Sequence, residues 1–421
     1  MFSIKKDPQS SLFRIIRDGL IKQWLHVYFR KMVFSGVENI QPNTATLWVG
    51  NHQNAFMDAF LPISKNPRAV WSLTRASIFR KPWVAFLLNR MCLLPVYRKQ
   101  DGPGFDEKTM KSFDRVKWLF KERNAHVLIF AEASAKAESK LRPLTSGFAR
   151  IAFDTASDVE NGNPNLIIQP FSVQYEQHTA FRRDVRVHIH EAIPLKDYVD
   201  LYANEPRKAI LELKKVCSDT LKQYLLHPAD DPRSPEEHTQ LLSWKAHKEG
   251  FSSFAESMNT VLPWHRAFLG ESEEHKQAIF AQAKADLSAL EGKVFDKDGR
   301  FLPESQQIRL AEGQDRTLLA NPKKLSAGKK FLYTLGAIPA ALYMYPTLKL
   351  AEKPGKGIKD MQFPTSIRFA SGMVLSKAFI ILLWLPFFAL AIHPLAALLW
   401  LVMLPLSQKM YLMRFEVAPS A

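Results

Sequence analysis

Thr46-Leu47-Trp48-Val49-Gly50-Asn51-His52-Gln53-Asn54-Ala55-Phe56-Met57-Asp58-Ala59-Phe60 is the stretch that decides the fold. Its first five residues form an apolar run of β-strand character, and the residues after Asn54 favour a helix. His52 is therefore expected at a strand-to-helix turn, where folds commonly present reactive groups. An imidazole there can take a proton from an alcohol, and a nearby carboxylate such as Asp58 can fix its tautomer. The same pair also fits a capped helix start with a purely structural histidine.

Further buried strands are predicted on both sides of this stretch, with helices between them. The expected strands cover residues 69–73, 93–98, 125–130 and 166–175, and the intervening helices cover residues 79–91 and 105–123. Val185–His190 alternates apolar and polar residues and predicts an edge strand. This alternation of strands and helices predicts an α/β fold.

The composition indicates a large, basic, intracellular type of chain. The 421 residues include 57 Lys and Arg against 41 Asp and Glu, a net charge of +16. Such a charge favours an anionic partner: nucleic acid, anionic lipid headgroups or phosphorylated substrates. The two cysteines, Cys92 and Cys217, offer no disulfide framework or paired metal-ligand motif. We therefore expect no metal site and a reducing compartment for the catalytic part.

Shifts in composition divide the chain into four regions. Residues 1–34 combine aromatic and basic residues at helical spacing, which fits an interfacial helix on a membrane and equally a core helix with a solvated face. Residues 35–225 carry the strands, residues 226–330 form a charged helical region, and residues 331–421 are apolar. Residues 378–405 contain no Asp, Glu, Lys or Arg, which predicts a membrane-embedded segment. His393-Pro394 near its middle leaves open one kinked span or a hairpin.

The stretch around His52 resembles the His-x-x-x-x-Asp motif of the glycerolipid acyltransferases, which include glycerol-3-phosphate and 1-acylglycerol-3-phosphate acyltransferases. Five residues separate His52 from Asp58, where the family usually has four, and this spacing looks like a longer subgroup found in fungi and some bacteria. The resemblance implies a mixed sheet flanked by helices, with residues 35–225 as the acyltransferase domain. The composition adds a helical insertion and a C-terminal membrane-embedded helical region to this expected fold.

Later motifs in the chain supply the residues that the resemblance assigns to the acceptor. Arg98 matches the arginine of the second motif, which binds the acceptor phosphate. Phe130-Ala131-Glu132-Ala133-Ser134 is similar to the family's Phe-Pro-Glu-Gly-Thr/Ser block, with alanine in place of both proline and glycine. The lysine of the following segment is replaced here by Thr145 or Ser146, so Lys136, Arg142 and Arg150 could supply the missing positive charge.

The resemblance implies a membrane enzyme of phospholipid synthesis. His52 and Asp58 would be catalytic, and Arg98, Glu132, Ser134, Arg142 and Arg150 would bind the acceptor, which is glycerol-3-phosphate or a lysophospholipid. The expected co-substrate is acyl-CoA or acyl-acyl carrier protein, with no cofactor. The catalytic domain would face the cytosol, on the inner membrane in a bacterium.

Two other functions fit parts of the sequence. A non-catalytic membrane-peripheral lipid-binding protein could have kept the fold and lost the chemistry, as the altered block at Ala131–Ala135 would allow. Nucleic-acid binding would explain the net charge but not the apolar C-terminal region, and no aromatic-basic recognition motif accompanies the charge. We therefore expect membrane lipid, and no nucleic acid, as the partner.

Overall fold

The protein is an α/β structure built on one mixed eight-stranded sheet, as the sequence predicts. The computed structural model describes residues 13, 16–97, 102–132, 134–158, 163, 165–228, 231–302, 327–355, 362–389 and 404–412. The strands of the sheet are β1 Met32–Ser35, β2 Thr46–Gly50, β3 Val70–Arg75, β4 Leu93–Val96, β5 His126–Phe130, β6 Ile167–Tyr175, β7 Val185–Ile189 and β8 Ile193–Pro194.

Helices connect the strands and follow them in the chain. In the first part these are α1 Lys22–Tyr28, α2 Phe56–Lys65, α3 Pro82–Arg90, α4 Phe105–Arg123, α5 Gly147–Ala156, α6 Lys196–Asn204 and α7 Pro206–Lys222. The later helices are α8 Pro235–Lys248, α9 Phe254–Leu269, α10 Glu273–Ala289, α11 Ala327–Ala351 and α12 Gln362–Ala389.

The strand order across the sheet is β1-β7-β6-β2-β5-β3-β4, with β8 also paired to β6. β6, β2, β5, β3 and β4 are parallel to one another, and β7 is antiparallel to β6. β2 therefore has a parallel neighbour on each side, and all five of its residues are buried. This explains its continuous apolar run, which is typical of a parallel strand covered on both faces.

The prediction that Val185–His190 forms an edge strand is wrong. β7 has a neighbour on each side, since it pairs antiparallel with β6 and parallel with β1. The apolar residues of β7 are fully buried, and Arg186 is 2% exposed despite its charge. Alternating apolar and polar residues are typical of a strand with one solvated face, but here the polar side chains are covered as well, since β7 lies between β1 and β6.

Gly50 ends β2 at a close approach to its neighbouring strand. A Cβ atom placed on Gly50 would lie 2.2 Å from the ring of Phe171 on β6. No side chain fits that space without displacing the aromatic ring. Glycine is therefore required at this position by packing, and the chain turns directly after it towards His52.

The chain divides into two compact units that interleave along the sequence. The first unit comprises residues 1–26, 32–175 and 185–229, and it contains the whole sheet. The second comprises residues 27–31, 176–184 and 230–421. The boundaries that we predict at residues 34, 225 and 330 stay predictions.

Buried ion pairs hold the short chain segments of the second unit. Arg30 bonds to Asp184 (2.7 Å) and to Glu176 (3.1 Å), and both carboxylate side chains are fully buried. The Ser253 hydroxyl donates to the other oxygen of Asp184 at 2.7 Å. Burial raises the pKa of Glu176. These contacts join residues 27–31 and 176–184 to one another and to Ser253 within the second unit.

The N-terminal aromatic residues are buried within the protein where the structure describes them. Ile21, Trp24, Leu25, Tyr28 and Phe29 are all less than 5% exposed. This burial favours the core-helix interpretation of the segment over an interfacial helix, because an interfacial helix needs an apolar face open to lipid. Residues 1–12 lie outside the described part of the chain.

One helix among the described residues is long and apolar enough to cross a membrane. It covers Pro364–Leu382 within α12, and a third of it is buried in the protein. The predicted embedded segment at residues 378–405 overlaps the end of α12, but residues 390–403, including His393-Pro394, lie outside the described residues. The choice between one kinked span and a hairpin therefore stays a prediction.

Candidate active site

His52 and Asp58 are brought together at the carboxyl end of β2. His52 follows the strand by two residues, and Asp58 lies in the first turn of α2. The His52 Nδ1 atom is 2.9 Å from Asp58 Oδ2. The His52 side chain is 17% exposed, whereas Asp58 is fully buried. The carboxyl ends of parallel strands are where open α/β sheets bind their ligands.

Two further donors fix the Asp58 carboxylate. The Tyr175 hydroxyl donates to Asp58 Oδ1 at 2.7 Å, and the backbone N–H of Asn54 donates to Asp58 Oδ2 at 2.7 Å. The Tyr175 hydroxyl, the Asn54 N–H and His52 Nδ1 all face the carboxylate as donors. Asp58 is therefore a buried, oriented acceptor for the histidine ring.

This arrangement fixes the tautomer of His52. An ionised carboxylate only accepts hydrogen bonds, so Nδ1 carries the proton that faces Asp58. The neutral ring then keeps the lone pair on Nε2. Within the described part of the chain, Nε2 has no hydrogen-bond partner. The geometry gives a partly exposed imidazole with a basic nitrogen available to a substrate.

Phe130 and Asn51 set the position of the His52 ring and backbone. The ring of Phe130, the last residue of β5, stacks on the imidazole with the centroids 3.9 Å apart and the planes at 5°. The Asn51 side chain donates to Val173 O at 2.9 Å and accepts from Val173 N at 2.8 Å. A side-chain amide thus continues the pairing between β2 and β6 beyond the strand end.

Glu132, Ser134 and Arg142 form a closed network behind the histidine. Glu132 accepts from the His52 backbone N–H at 2.7 Å and from Arg142 Nε at 2.8 Å. Arg142 also donates to the Ser134 hydroxyl at 2.9 Å, to Ser134 O and to His52 O. The guanidinium and the carboxylate are therefore both occupied in holding the His52 turn. Burial raises the pKa of Glu132, although the hydrogen bond from the His52 N–H and the charge of Arg142 act in the opposite direction.

The two remaining predicted acceptor residues are placed differently. Arg150 is exposed on α5 and outside the network around Arg142. Arg98 lies outside the described residues, and in the sequence it is the second residue after the end of β4. Among the described residues, no group of three or more His, Cys, Asp or Glu side chains could hold a metal ion.

Sequence reasoning missed Tyr175, although the strand pairing contains a signal for it. Gly50 lies opposite Phe171, so the last four residues of β6 extend beyond the end of β2. Tyr175 consequently reaches the start of α2, where Asp58 lies. Finding it requires the register between β2 and β6, which the apolar runs alone do not specify.

Comparisons with known proteins bear on the same part of the chain. Residues 31–174 match the acyltransferase family model. The match covers about a third of the chain and includes both His52 and Asp58. No curated protein matches the chain by sequence. A structural match to the 1-acyl-sn-glycerophosphate acyltransferase PlsC from Thermotoga maritima covers 51% of this chain and 83% of that one, at 17% identity and a TM-score of 0.37.

The matched range thus contains every residue that the sequence predicts for the site. Arg98, Glu132, Ser134, Arg142 and Arg150 all fall within the matched range. Tyr175 lies one residue beyond it. The spacing of five residues between His52 and Asp58 places both side chains in hydrogen-bonding contact, but nothing in the match separates the longer subgroup from the rest of the family.

Proposed function

We propose that the protein is a membrane-bound glycerolipid acyltransferase. It moves a fatty acyl group from an acyl thioester, on coenzyme A or acyl carrier protein, to a hydroxyl of glycerol-3-phosphate or a lysophospholipid. The observation that carries the proposal is the His52–Asp58 pair at 2.9 Å, with the carboxylate fixed by Tyr175 and Asn54. The acyltransferase family match over the same residues supports it.

In the proposed mechanism, His52 acts as general base on the acceptor. Nε2 removes the proton from the hydroxyl as its oxygen attacks the thioester carbonyl, which forms a tetrahedral intermediate. The carbon–sulfur bond then breaks, and the imidazolium returns the proton to the leaving thiolate. The products are the new ester and the free thiol. The nucleophile comes from the substrate, so the protein needs no serine or cysteine of its own.

Asp58 and Phe130 stabilise the imidazolium that forms in this step. Asp58 supplies a full negative charge at Nδ1 without changing its hydrogen bonds. The flat contact with Phe130 places an aromatic face against the ring, and such a face attracts a cation. Since both groups are in position before proton transfer, no reorganisation is required when the charge appears.

Arg98 and Arg150 are the proposed ligands of the acceptor phosphate. Arg150 is exposed on α5, and a guanidinium binds phosphate through two parallel hydrogen bonds. Glu132, Ser134 and Arg142 contribute by holding the turn that carries His52, since their polar atoms are already engaged with one another. This division of roles favours acceptor binding by Arg150, which lies outside the network, and Arg98 stays a predicted acceptor ligand.

The C-terminal helices support attachment to a membrane. α11 exposes Leu335, Ile338, Leu342 and Tyr345 at intervals of three and four residues, which form one continuous apolar stripe. α12 contains the apolar stretch Pro364–Leu382. A stripe of this kind is costly in water and favourable in lipid. Because acyl thioesters and glycerol phosphates are cytosolic, we propose that His52 faces the cytosol, on the inner membrane in a bacterium.

Acyl transfer by purified protein tests the proposal. Membranes or detergent-solubilised protein are incubated with a labelled acyl thioester and a panel of acceptors, and the product lipid is measured. We expect His52→Ala to lower the rate by about 10²- to 10⁴-fold without changing the fold, as is usual for loss of a general base. His275→Ala is the matched control, because His275 is exposed on α10.

Wild-type turnover in the His52→Ala protein would remove His52 from the mechanism. Binding of lipid without transfer to any acceptor would instead identify a non-catalytic lipid-binding protein, the alternative that the altered block at Ala131–Ala135 allows.

A further inference from the structure

The segment from Ala59 to Gln100 has an unusual distribution of charge. It contains eight Lys and Arg residues and no Asp or Glu, whereas the chain as a whole has 57 basic and 41 acidic residues. Half of the net charge of +16 therefore lies in a tenth of the chain. This part of the domain carries a local positive charge with no acidic residue in the same segment to offset it.

Helix α3 lies within this segment and exposes large apolar side chains. Trp83 is 67% exposed, Phe86 is 54% exposed and Leu87 is 42% exposed, and no residue of the helix is buried. Their spacing of three and four residues puts them on one face. An exposed tryptophan–phenylalanine–leucine face is not explained by the packing of the first unit, to which the helix belongs.

Basic side chains border the same face. Arg80 and Lys81 are exposed directly before the helix, and Arg90 is exposed at its last residue. The Arg90 guanidinium lies over the ring of Phe86, 5.2 Å from the centroid. Pro82 at the first helical position and the Ala85 N–H bonded to Lys81 O (2.9 Å) define the start of the helix. The face is thus a formed element that combines aromatic, aliphatic and cationic groups.

The sheet topology places the start of this segment at the edge that carries His52. β3 is parallel to β2 and separated from it only by β5, so the two strand ends lie about 10 Å apart at the usual strand spacing. Arg75 is the last residue of β3, and the chain then leads into α3. The start of α3 therefore lies on the side of the sheet that carries the catalytic edge.

Met110 on α4 shows why the charge around α3 is informative. Met110 is 55% exposed, similar to Phe86, but its helix carries charges of both signs, and Glu107 pairs with Lys111 beside it. A lone apolar residue among charges of both signs is ordinary on a soluble surface. An aromatic face whose own segment carries cations and no acidic residue is instead complementary to an anionic bilayer, where apolar side chains enter the headgroup region and cations meet lipid phosphates.

We propose that α3 and its basic flanks are a peripheral docking surface for an anionic lipid bilayer. Trp83, Phe86 and Leu87 enter the headgroup region, and Arg80, Lys81 and Arg90 bind lipid phosphates. This contact belongs to the catalytic unit and is separate from the apolar C-terminal helices. It brings the catalytic edge against the membrane surface, where an acyl chain leaves or enters the lipid phase.

A contact probe on α3 of the full chain tests this surface. Cys92 and Cys217 are replaced by alanine, and Phe86→Cys is labelled with an environment-sensitive fluorophore. The protein is reconstituted with vesicles that carry a spin-labelled lipid as a shallow quencher. Met110→Cys, labelled in the same way, is the matched control. Because the readout is contact with lipid, it is independent of acyl transfer.

We expect quenching at position 86 in vesicles that contain phosphatidylglycerol, weaker quenching in pure phosphatidylcholine, and little at position 110. Arg80→Glu with Lys81→Glu should lower the lipid contact on the order of tenfold or more, since each basic residue near an anionic surface contributes appreciably to binding. Arg207→Glu with Lys215→Glu, exposed on α7, should change it little.

Equal quenching at positions 86 and 110, or none at 86, would overturn the proposal. A fluorescence shift at position 86 that appears without vesicles and grows with protein concentration would identify a second copy of the chain as the occupant, and would also overturn it.

Discussion

The histidine of this site is held from three directions, and Tyr175 is the contact that sequence reasoning does not supply. Asp58 orients the ring, Phe130 stacks on it, and the Glu132–Arg142 network fixes its backbone. Tyr175 acts on His52 only through Asp58, so it is a positioning residue. Its contribution should therefore appear in the basicity of the histidine rather than in substrate binding.

Tyr175→Phe removes one donor from the Asp58 carboxylate. We expect kcat to fall on the order of tenfold, because the carboxylate is no longer held in the position that aligns the His52 ring, while the KM values for donor and acceptor stay unchanged. The acid limb of the pH–rate profile should move to higher pH, because a carboxylate with fewer donors stabilises the imidazolium more strongly. Steady-state kinetics across pH provides the measurement.

Tyr202→Phe is the matched control, because the Tyr202 hydroxyl also bonds to an aspartate, Asp154, at 3.0 Å on the exposed surface. An unchanged pH profile in Tyr175→Phe, with a loss of folded protein, would show that Tyr175 is only a packing residue.

Arg142 and Arg150 differ in how their guanidinium groups are engaged, and this predicts different kinetic defects. Arg150→Ala should raise the acceptor KM more than the donor KM, because an exposed cation can bind the acceptor phosphate in ground and transition state alike. Arg142→Ala should lower kcat, since it leaves Glu132 buried without its partner and releases the His52 turn. A selective rise of the acceptor KM in Arg142→Ala would instead assign phosphate binding to Arg142.

At the scale of single elements, the sequence predicts which strands and helices exist, but it does not predict which strands pair with each other. The apolar runs locate β2, β5 and β6 because buried strands need apolar residues on both faces. They do not place β1 beside β7, since that pairing joins residues about 150 positions apart. For the same reason the network of Arg142 is missed. A long side chain near a motif can reach several partners, and only the folded turn decides which.

Helix α12 has the length and composition for membrane insertion, which predicts how the protein is extracted. Full-length protein should resist release by high salt and by alkaline washing, because burial of apolar residues in lipid is insensitive to salt. A chain that ends at Asp360 lacks Pro364–Leu382 and keeps the surface contacts of α11 and α3, which do not span the bilayer, so it should be released by alkaline washing. Fractionation of membranes with an antibody against the protein measures both.

Quantitative release of the full-length protein by salt alone would contradict the embedded arrangement. Retention of the truncated chain after alkaline washing would show that another segment is embedded.

At the scale of the whole molecule, both units depend on buried neutral histidines. Burial lowers the pKa of His126 to about 4 and the pKa values of His190 and His265 to about 3. His126 and His190 belong to the first unit, and His265 belongs to the second. Each side chain is almost completely buried. The folded protein therefore binds fewer protons at mildly acidic pH than the unfolded chain does.

This difference predicts loss of stability in mild acid. The unfolded state takes up a proton on each histidine below a pH of about 6.5, whereas the folded state does not until the pH reaches about 3–4, so the free energy of unfolding falls as the pH falls through this window. At pH 5 the cost is about 2 kcal/mol for each of the three residues, from about 1.4 kcal/mol per pH unit. Thermal unfolding in detergent at pH 7.5 and pH 5 measures the change.

His265→Gln should reduce the difference between the two pH values, and His275→Gln, on an exposed histidine, should not. An unfolding midpoint that stays constant or rises at pH 5 would contradict this account.

The interleaving of the two units cannot be predicted from composition, because residues 27–31 and 176–184 join the second unit through buried ion pairs rather than through neighbouring sequence.

The contact between Gly50 and the Phe171 ring affects how inactive variants should be interpreted. In a random mutagenesis screen for loss of transfer, changes at Gly50 would be recovered together with those at His52 and Asp58, although Gly50 has no side chain to offer to the reaction. The two kinds of variant separate by abundance: a Gly50 variant should be depleted from the cell by quality control, while His52→Ala should accumulate as folded, inactive protein. A genetic map of essential positions therefore needs protein levels beside activity before residues next to the histidine are counted as catalytic.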